Sequence, residues 1–245
     1  MNLTRKFIPS LFTILNAFCG FMSIVYASRI PENNPAGPEM EQAILFIIYA
    51  AVFDMADGMI ARLLKTSSDF GVELDSLSDV ISFGAAPSFL LYKVFFHNMN
   101  EFGIALASLI MVFAALRLAR FNVQLVGYDK EKFSGIPTPV AAITVCVYLM
   151  HYHNKIFNEY SSKILIILLG TLLPLLMVSK FTYPTFPPLT KSSVLKHKPF
   201  FILILIAVVV SVITMGKAVF WICSLYILSG IILFFFRTPK KKSLR

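Results

Sequence analysis

Eight apolar runs, each close to the length needed to cross a bilayer, decide what this chain can fold into. They cover about 8 to 27, 42 to 64, 75 to 97, 102 to 126, 138 to 153, 162 to 180, 199 to 215 and 217 to 236. A helix crosses the hydrocarbon layer with roughly 20 residues. Composition agrees, because the chain is 57% hydrophobic with 24 Phe and only 14% charged residues, outside the balance of a soluble domain. The expected architecture is an all-α integral membrane protein, a polytopic bundle of about eight transmembrane helices. No linker or internal repeat divides it, so residues 1–245 read as one domain. The last two runs are parted only by "MGK" and should form a tight helical hairpin. Arg5 and Lys6 precede a first run ending in "VYAS", in the manner of a signal peptide. That run is too long for a signal core and carries Pro9, Thr13 and Asn16, so a retained first helix is expected.

The net charge of +9 does not point to nucleic acid, because the basic residues stand at the ends of apolar runs. They read as topology signals. With the amino terminus inside, 17 Lys and Arg fall on one side and 5 on the other, which places both termini and the link between the second and third helices in the cytoplasm. Cys19, Cys146 and Cys223 lie in three different apolar runs without zinc-site or disulfide spacing, and read as packing residues. His151 and His153, in "MHYHNK", fall at the opposite side and read as interfacial. The tail "KKKSLR" suits anionic lipid, at about 1 kcal/mol per basic residue near the surface.

Against this background the stretch "DMADGMIARLLKTSSDFGVELDSLSD", Asp54 to Asp79, is the anomaly. An Asp facing lipid at mid-bilayer costs about 2.5–3.5 kcal/mol, so four would cost on the order of 10. They must face a polar cavity, a counter-charge or a metal. Asp54, Asp57, Gly58, Ala61 and Arg62 share one helical face, and Gly71, Asp75 and Asp79 share one face of the next helix; Asp69 falls outside both patterns. Joined by the short link "LLKTSSDF", the two faces can oppose each other across a gap that Gly58, Ala61 and Gly71 keep open. Carboxylates without His or Cys favour magnesium, manganese or calcium, and four are enough for a two-metal site acting on a phosphate or diphosphate. The plainer reading is that they solvate a helix end and pair with Arg62 and Lys65.

Written out, the residues are Asp54-x2-Asp57-Gly58-x2-Ala61-Arg62-x8-Gly71-x3-Asp75-x3-Asp79. This spacing resembles the full signature of the CDP-alcohol phosphatidyltransferase family, in which the hydroxyl of a small alcohol displaces CMP from a CDP-linked lipid. The resemblance implies that Asp54, Asp57 and Asp75 hold divalent ions, Mg2+ or Mn2+ with Ca2+ as a further candidate, against the diphosphate. Asp79, also a metal-site residue, would be the general base. Gly58, Ala61 and Arg62 would line the CDP pocket and Gly71 would allow close approach. The family is built on six core helices, usually as a homodimer, so the helices from about 199 to 236 would be additions. With no Cys or His in the signature, direct displacement is expected rather than a covalent phosphatidyl-enzyme.

Further stretches resemble the phosphatidylserine synthase branch of that family: "FTILNAFCGF", "DVISFGAAPS", "LRLARFN", "FSGIPTPVAA" and "LMVSKFTYPTF". The acceptor expected from them is L-serine, with CDP-diacylglycerol as the lipid donor; glycerol 3-phosphate or inositol is the alternative. In helix one the family often has Asn where this chain has Ser10, and the Pro-rich loop "TYPTFPPLTKSSVLKHK" is longer than expected and reads as a surface segment or a linker. Arg117 and Arg120, three apart, share a face; one would grip the serine carboxylate and the other the lipid-side phosphate, or both would snorkel as topology anchors. Asn122 and Thr13 are polar contributors or helix-bridging hydrogen bonders. A divalent-cation transporter would instead spread its carboxylates over several helices.

Overall fold

A computed structural model describes residues 3–64, 68–126, 135–153, 155–183 and 198–236, with the side chains of 3–10, 62–64 and 124–126 outside the described set. Helix α1 (Leu3–Ser28) packs along α2 (Pro38–Leu64), and α3 (Asp69–Asp79) runs through a π-helical turn (Val80–Ala85) into α4 (Ala86–Val94) as one rod. A 3-10 turn (Phe96–Met99) leads into α5 (Asn100–Val126), followed by α6 (Thr138–His151), α7 (Glu159–Met177), α8 (Lys198–Ile213) and α9 (Lys217–Phe236). The eight apolar runs thus correspond to eight helical stretches, the third being the α3–α4 rod. Helices α1, α2, α5, α7 and α9 are long and apolar enough to cross a bilayer, whereas α6 has 14 residues and α8 has 16.

The polytopic bundle turns apolar surface both ways. Ile44, Ile47, Phe83, Leu90, Phe96, Ile110, Val145 and Ile166 are fully buried between α1, α2, α4, α5, α6 and α7. Outward, Leu11, Ile14, Phe18 and Phe21 of α1 are exposed, and α8 buries none of its residues, as expected of surfaces that face lipid. Cys19 and Cys146 are buried and Cys223 is half-buried, all three as free thiols.

Local signals explain where the helices begin and turn. The α3 rod starts about six residues before the apolar run does, because the Ser68 hydroxyl caps it by accepting the Gly71 N–H at 3.1 Å. The Asn158 side chain starts α7 in the same way, accepting the Ser161 N–H at 2.8 Å. Between α8 and α9, Met215 and Gly216 take left-handed φ values of 50° and 85°, and the Gly216 N–H donates to the Ser211 carbonyl at 2.8 Å. That closes the expected hairpin with a left-handed helix stop.

Two of the stretches that resemble the synthase branch meet through the backbone. The Gly135 N–H donates to the Phe181 carbonyl at 2.8 Å, and the Ile136 N–H to the Leu176 carbonyl at 3.2 Å, fastening the approach to α6 onto the end of α7. At the far end of the bundle, His153 turns inward. Its Nδ1 lies 3.4 Å from the Tyr148 hydroxyl, its ring meets Phe95 edge-on, and burial pushes the imidazole below its ordinary value. Ser10, Arg62, the loop 184–197 and the tail 237–245, on which several expectations fall, lie outside the described backbone or side chains.

Candidate active site

Helix α1 packs against both α2 and α3, and the three bring the signature together. Carboxylate oxygens of Asp54 and Asp57 on α2 and of Asp75 on α3 lie within 4.8 Å of one another, so the two acidic faces do oppose each other. At that separation two carboxylate charges repel by about 3.5 kcal/mol at an effective dielectric near 20, and three charges make three such pairs. Among the described residues no basic side chain forms an ion pair with any of them. One Asp75 oxygen is also buried without a hydrogen-bond partner among the described residues. Three converging hard oxygen ligands and an orphaned lone pair fit a divalent cation. Arg62 and Lys65, the two expected counter-charges, lie outside the described side chains.

The first helix supplies the supports. Thr13, buried, donates its hydroxyl to Asp57 at 2.9 Å, so of its two readings the helix-bridging one describes its place. The Gly58 N–H donates to the same carboxylate. Asn16, fully buried, donates its amide to Asp79 at 3.2 Å. Asp79 stands outside the three-carboxylate cluster, though within electrostatic reach of Asp54, Asp75 and Asp57. In the sequence Asn16 stands out only as a polar residue in the first apolar run and as part of the stretch "FTILNAFCGF", with no role of its own. The available signal was a fully polar amide in mid-run, which must find a partner in lipid.

Asp79 is the last residue of α3, and the π turn begins directly after it. Pro87 cannot donate an N–H back into the preceding turn, and Ala86 N–H reaches the Ile81 carbonyl five residues back. The wide turn presses Ser82 onto α1, where its hydroxyl donates to the Asn16 carbonyl at 2.8 Å. Only a glycine fits opposite: a Cβ on Gly20 would stand 2.4 Å from Ser82 Oγ and 2.7 Å from Ser82 Cα. So the stretches "FTILNAFCGF" and "DVISFGAAPS" are two halves of one contact around Asp79.

The arginines part company. Arg117 is half-buried within electrostatic reach of Asp79 and Tyr226, and its Nε is buried without a hydrogen-bond partner among the described residues; Arg120 is exposed. Three residues turn a helix by about 300°, and the 60° left over is enough to move a side chain from the inner wall to the rim. Asn122 donates to Glu73 at 3.1 Å and to Ser76 at 3.0 Å, tying α5 to α3 one residue away from Asp75. Gly58, Ala61 and Gly71 are all half-buried beside the carboxylates in sequence, Gly71 also giving its N–H to the helix cap.

A polytopic helical membrane protein with a cluster of carboxylates fit for a divalent cation, braced by its first helix, is the class these features define. The chain belongs to the CDP-alcohol phosphatidyltransferase family, whose sequence profile matches residues 6–181. It is 36% identical over 232 residues to a protein of Helicobacter pylori named CDP-diacylglycerol–serine O-phosphatidyltransferase, covering 95% of this chain and 92% of that one. A protein of the same name from Methanocaldococcus jannaschii is 31% identical over 220 residues, covering 90% of each. An archaetidylserine synthase of Methanothermobacter thermautotrophicus is 37% identical over 183 residues, covering 72% of this chain and 69% of that one.

Proposed function

We propose that this chain transfers the phosphatidyl group of CDP-diacylglycerol to the hydroxyl of L-serine, giving phosphatidylserine and CMP. The observation that carries the reading is the convergence of Asp54, Asp57 and Asp75 within 4.8 Å, with Asp79 held separately by Asn16. Relatives named for serine and for archaetidylserine differ in lipid and share the acceptor, which supports serine over glycerol 3-phosphate or inositol. Carboxylates gathered on one helical hairpin also favour a reaction site over a transport path.

In this reading Asp54, Asp57 and Asp75 hold divalent cations, Mg2+ or Mn2+, with Asp79 completing the acidic wall. Such ions, when bound, neutralise charge on the diphosphate and on departing CMP. Gly58, Ala61, Arg62 and Gly71 accommodate the CDP moiety. Asp79 takes the proton of the serine hydroxyl as its oxygen attacks the lipid-side phosphorus, and the bond from that phosphorus to the oxygen shared with CMP breaks. A positioned carboxylate contributes typically 10²–10⁴-fold in such a step. The displacement is direct, and trapping a phosphatidyl-enzyme would contradict it. Arg117 faces the acceptor, Arg120 the lipid-side phosphate, and Asn122 steadies α3 beside them.

The same reading takes all eight helical stretches as crossings, six of them core and α8–α9 additions within a single domain. It places both termini and the site on the cytoplasmic side of the cell's inner or plasma membrane, with the protein a homodimer. One assay tests the function: purified protein with CDP-diacylglycerol, a panel of alcohols and individual divalent metals, scored for CMP and lipid product. Serine-dependent CMP release that needs a divalent ion is expected. Release with another alcohol and not with serine would overturn the reading.

A further inference from the structure

The residues matched by the family profile end at 181, yet the helix α9 beyond them comes back to the site. Phe181 meets Phe234 of α9 with ring centroids 4.8 Å apart, and Tyr183 meets Tyr226 at 5.4 Å. The approach is as close as α9 can make it. A Cβ on Gly230 would fall 2.1 Å from the Tyr183 ring, so the ring lies directly on the helix backbone. The segment carrying Tyr183 is anchored from its other side, where the Phe181 carbonyl accepts the Gly135 N–H. Tyr226 in turn lies within electrostatic reach of Arg117, which reaches Asp79.

Two groups in this corner are buried without hydrogen-bond partners among the described residues: the Arg117 Nε and the Tyr183 hydroxyl. An unsatisfied buried donor is destabilising, more so when charged, so such a group calls for a ligand that completes it. Tyr183 lies outside the helices, and burial together with the neighbouring Tyr226 pushes its phenol up to about 12. It therefore keeps its proton at neutral pH and can donate. A guanidinium and a phenol, both donors, call for an anionic acceptor, and guanidinium pairs with carboxylate in a planar fork.

We propose that Tyr183 and Tyr226 close the Arg117 side of the site into a carboxylate-recognising pocket, so that α9 determines the specificity for an amino-acid acceptor. The inference rests on the serine-transfer reading above and adds the residues that select the acceptor. Its chemistry is simple. The acceptor's carboxylate meets Arg117 and the tyrosine hydroxyl while its own hydroxyl points to Asp79, the neighbour of Arg117. An acceptor without the carboxylate leaves the same donors buried and unpaired, which is the arrangement that discriminates most strongly.

The test uses the full chain in detergent micelles with CDP-diacylglycerol, comparing wild type with Tyr183→Phe and Tyr226→Phe. Each variant keeps its ring and loses only the hydroxyl. Expected for at least one is a rise of roughly tenfold in the KM for L-serine, with the KM for CDP-diacylglycerol within about twofold of wild type. The preference for L-serine over serinol, which replaces the carboxylate with a hydroxymethyl group, should fall by a similar factor. Gly230→Ala, which must displace the Tyr183 ring, should move the same two quantities in the same direction. Wild-type turnover of serine with both Phe variants unchanged in serine KM and in serinol discrimination would overturn the pocket alone. Wild type that uses another alcohol and not serine would overturn the serine reading and the pocket with it.

Discussion

A single buried amide holds Asp79 from the first helix. Asn16 donates to one Asp79 oxygen at 3.2 Å, and Asp79 stands outside the Asp54, Asp57 and Asp75 cluster. In the proposed transfer Asp79 is the general base, so Asp79→Asn should lower kcat by about 10²–10⁴-fold while keeping the shape of the side chain. Asn16→Ala should be milder. A hydrogen bond to a charged group is worth about 1.5–3 kcal/mol, which corresponds to roughly 10- to 100-fold if all of it is expressed in the transition state. As a positioning residue, Asn16 should change kcat while leaving the KM for CDP-diacylglycerol near wild type, a split that steady-state kinetics on the purified variant would read. Equal kcat in Asn16→Ala and wild type would remove Asn16 from the machinery. The four signature aspartates were legible because lipid makes each of them expensive and helical spacing shows which share a face. Asn16 was harder to see. Its partner lies 63 positions away, and no local spacing joins a residue of the first helix to the third.

At the scale of elements, the contact between α1 and the π turn holds the site's geometry. Gly20 lets the backbone of Ser82 come against α1, and the Ser82 hydroxyl closes the contact on the Asn16 carbonyl. A methyl group at position 20 would meet Ser82 Oγ, Cα and N at 2.4, 2.7 and 2.9 Å. Two of those three atoms are backbone, so relief requires the helices to separate. Gly20→Ala should cost at least tenfold in activity and lower the thermal midpoint in detergent. Adding Ser82→Ala, which removes only Oγ, should not restore either quantity; rescue by that second change would show the side chain alone to be the obstacle. Helix positions were readable from hydropathy because lipid requires long apolar runs. Three features were not. The π turn depends on how Ser82 and Gly84 pack against α1 and α5, the early start of α3 on a cap at Ser68, and the inward turn of His153 on Tyr148 and Phe95. Each is decided by a neighbour distant in sequence or by a polar contact that a hydropathy count ignores. The pairing of Arg117 with Arg120 shows the same limit, because sharing a helical face says nothing about where the bundle wall falls across it.

The molecule as a whole carries a concentration of charge that its fold must bear whether or not substrate is present. When all three are ionised, the carboxylates within 4.8 Å oppose one another by about 3.5 kcal/mol per pair, a strain borne where α1, α2 and α3 come together. Anything that binds the folded cluster and not the unfolded chain relieves it, with a stabilisation of about 2.7 kcal/mol at a hundredfold excess over the dissociation constant. Divalent cation should therefore raise the thermal midpoint of the purified protein in detergent, and chelation should lower it, with no substrate present. Asp75→Asn removes one charge from the cluster and one cation ligand. That variant should be at least as stable as wild type in chelator, and it should lose most of the rise on adding Mg2+ or Mn2+. The two effects point in opposite directions, which separates metal binding from general destabilisation. A midpoint indifferent to both chelator and cation in wild type would mean that the cluster is neutralised by protons rather than by metal. The signature would then have to draw its ion from the incoming diphosphate, and a cation-dependent shift should emerge only once CDP-diacylglycerol is added. Comparing the two titrations, with and without the lipid, decides which partner brings the metal to the site.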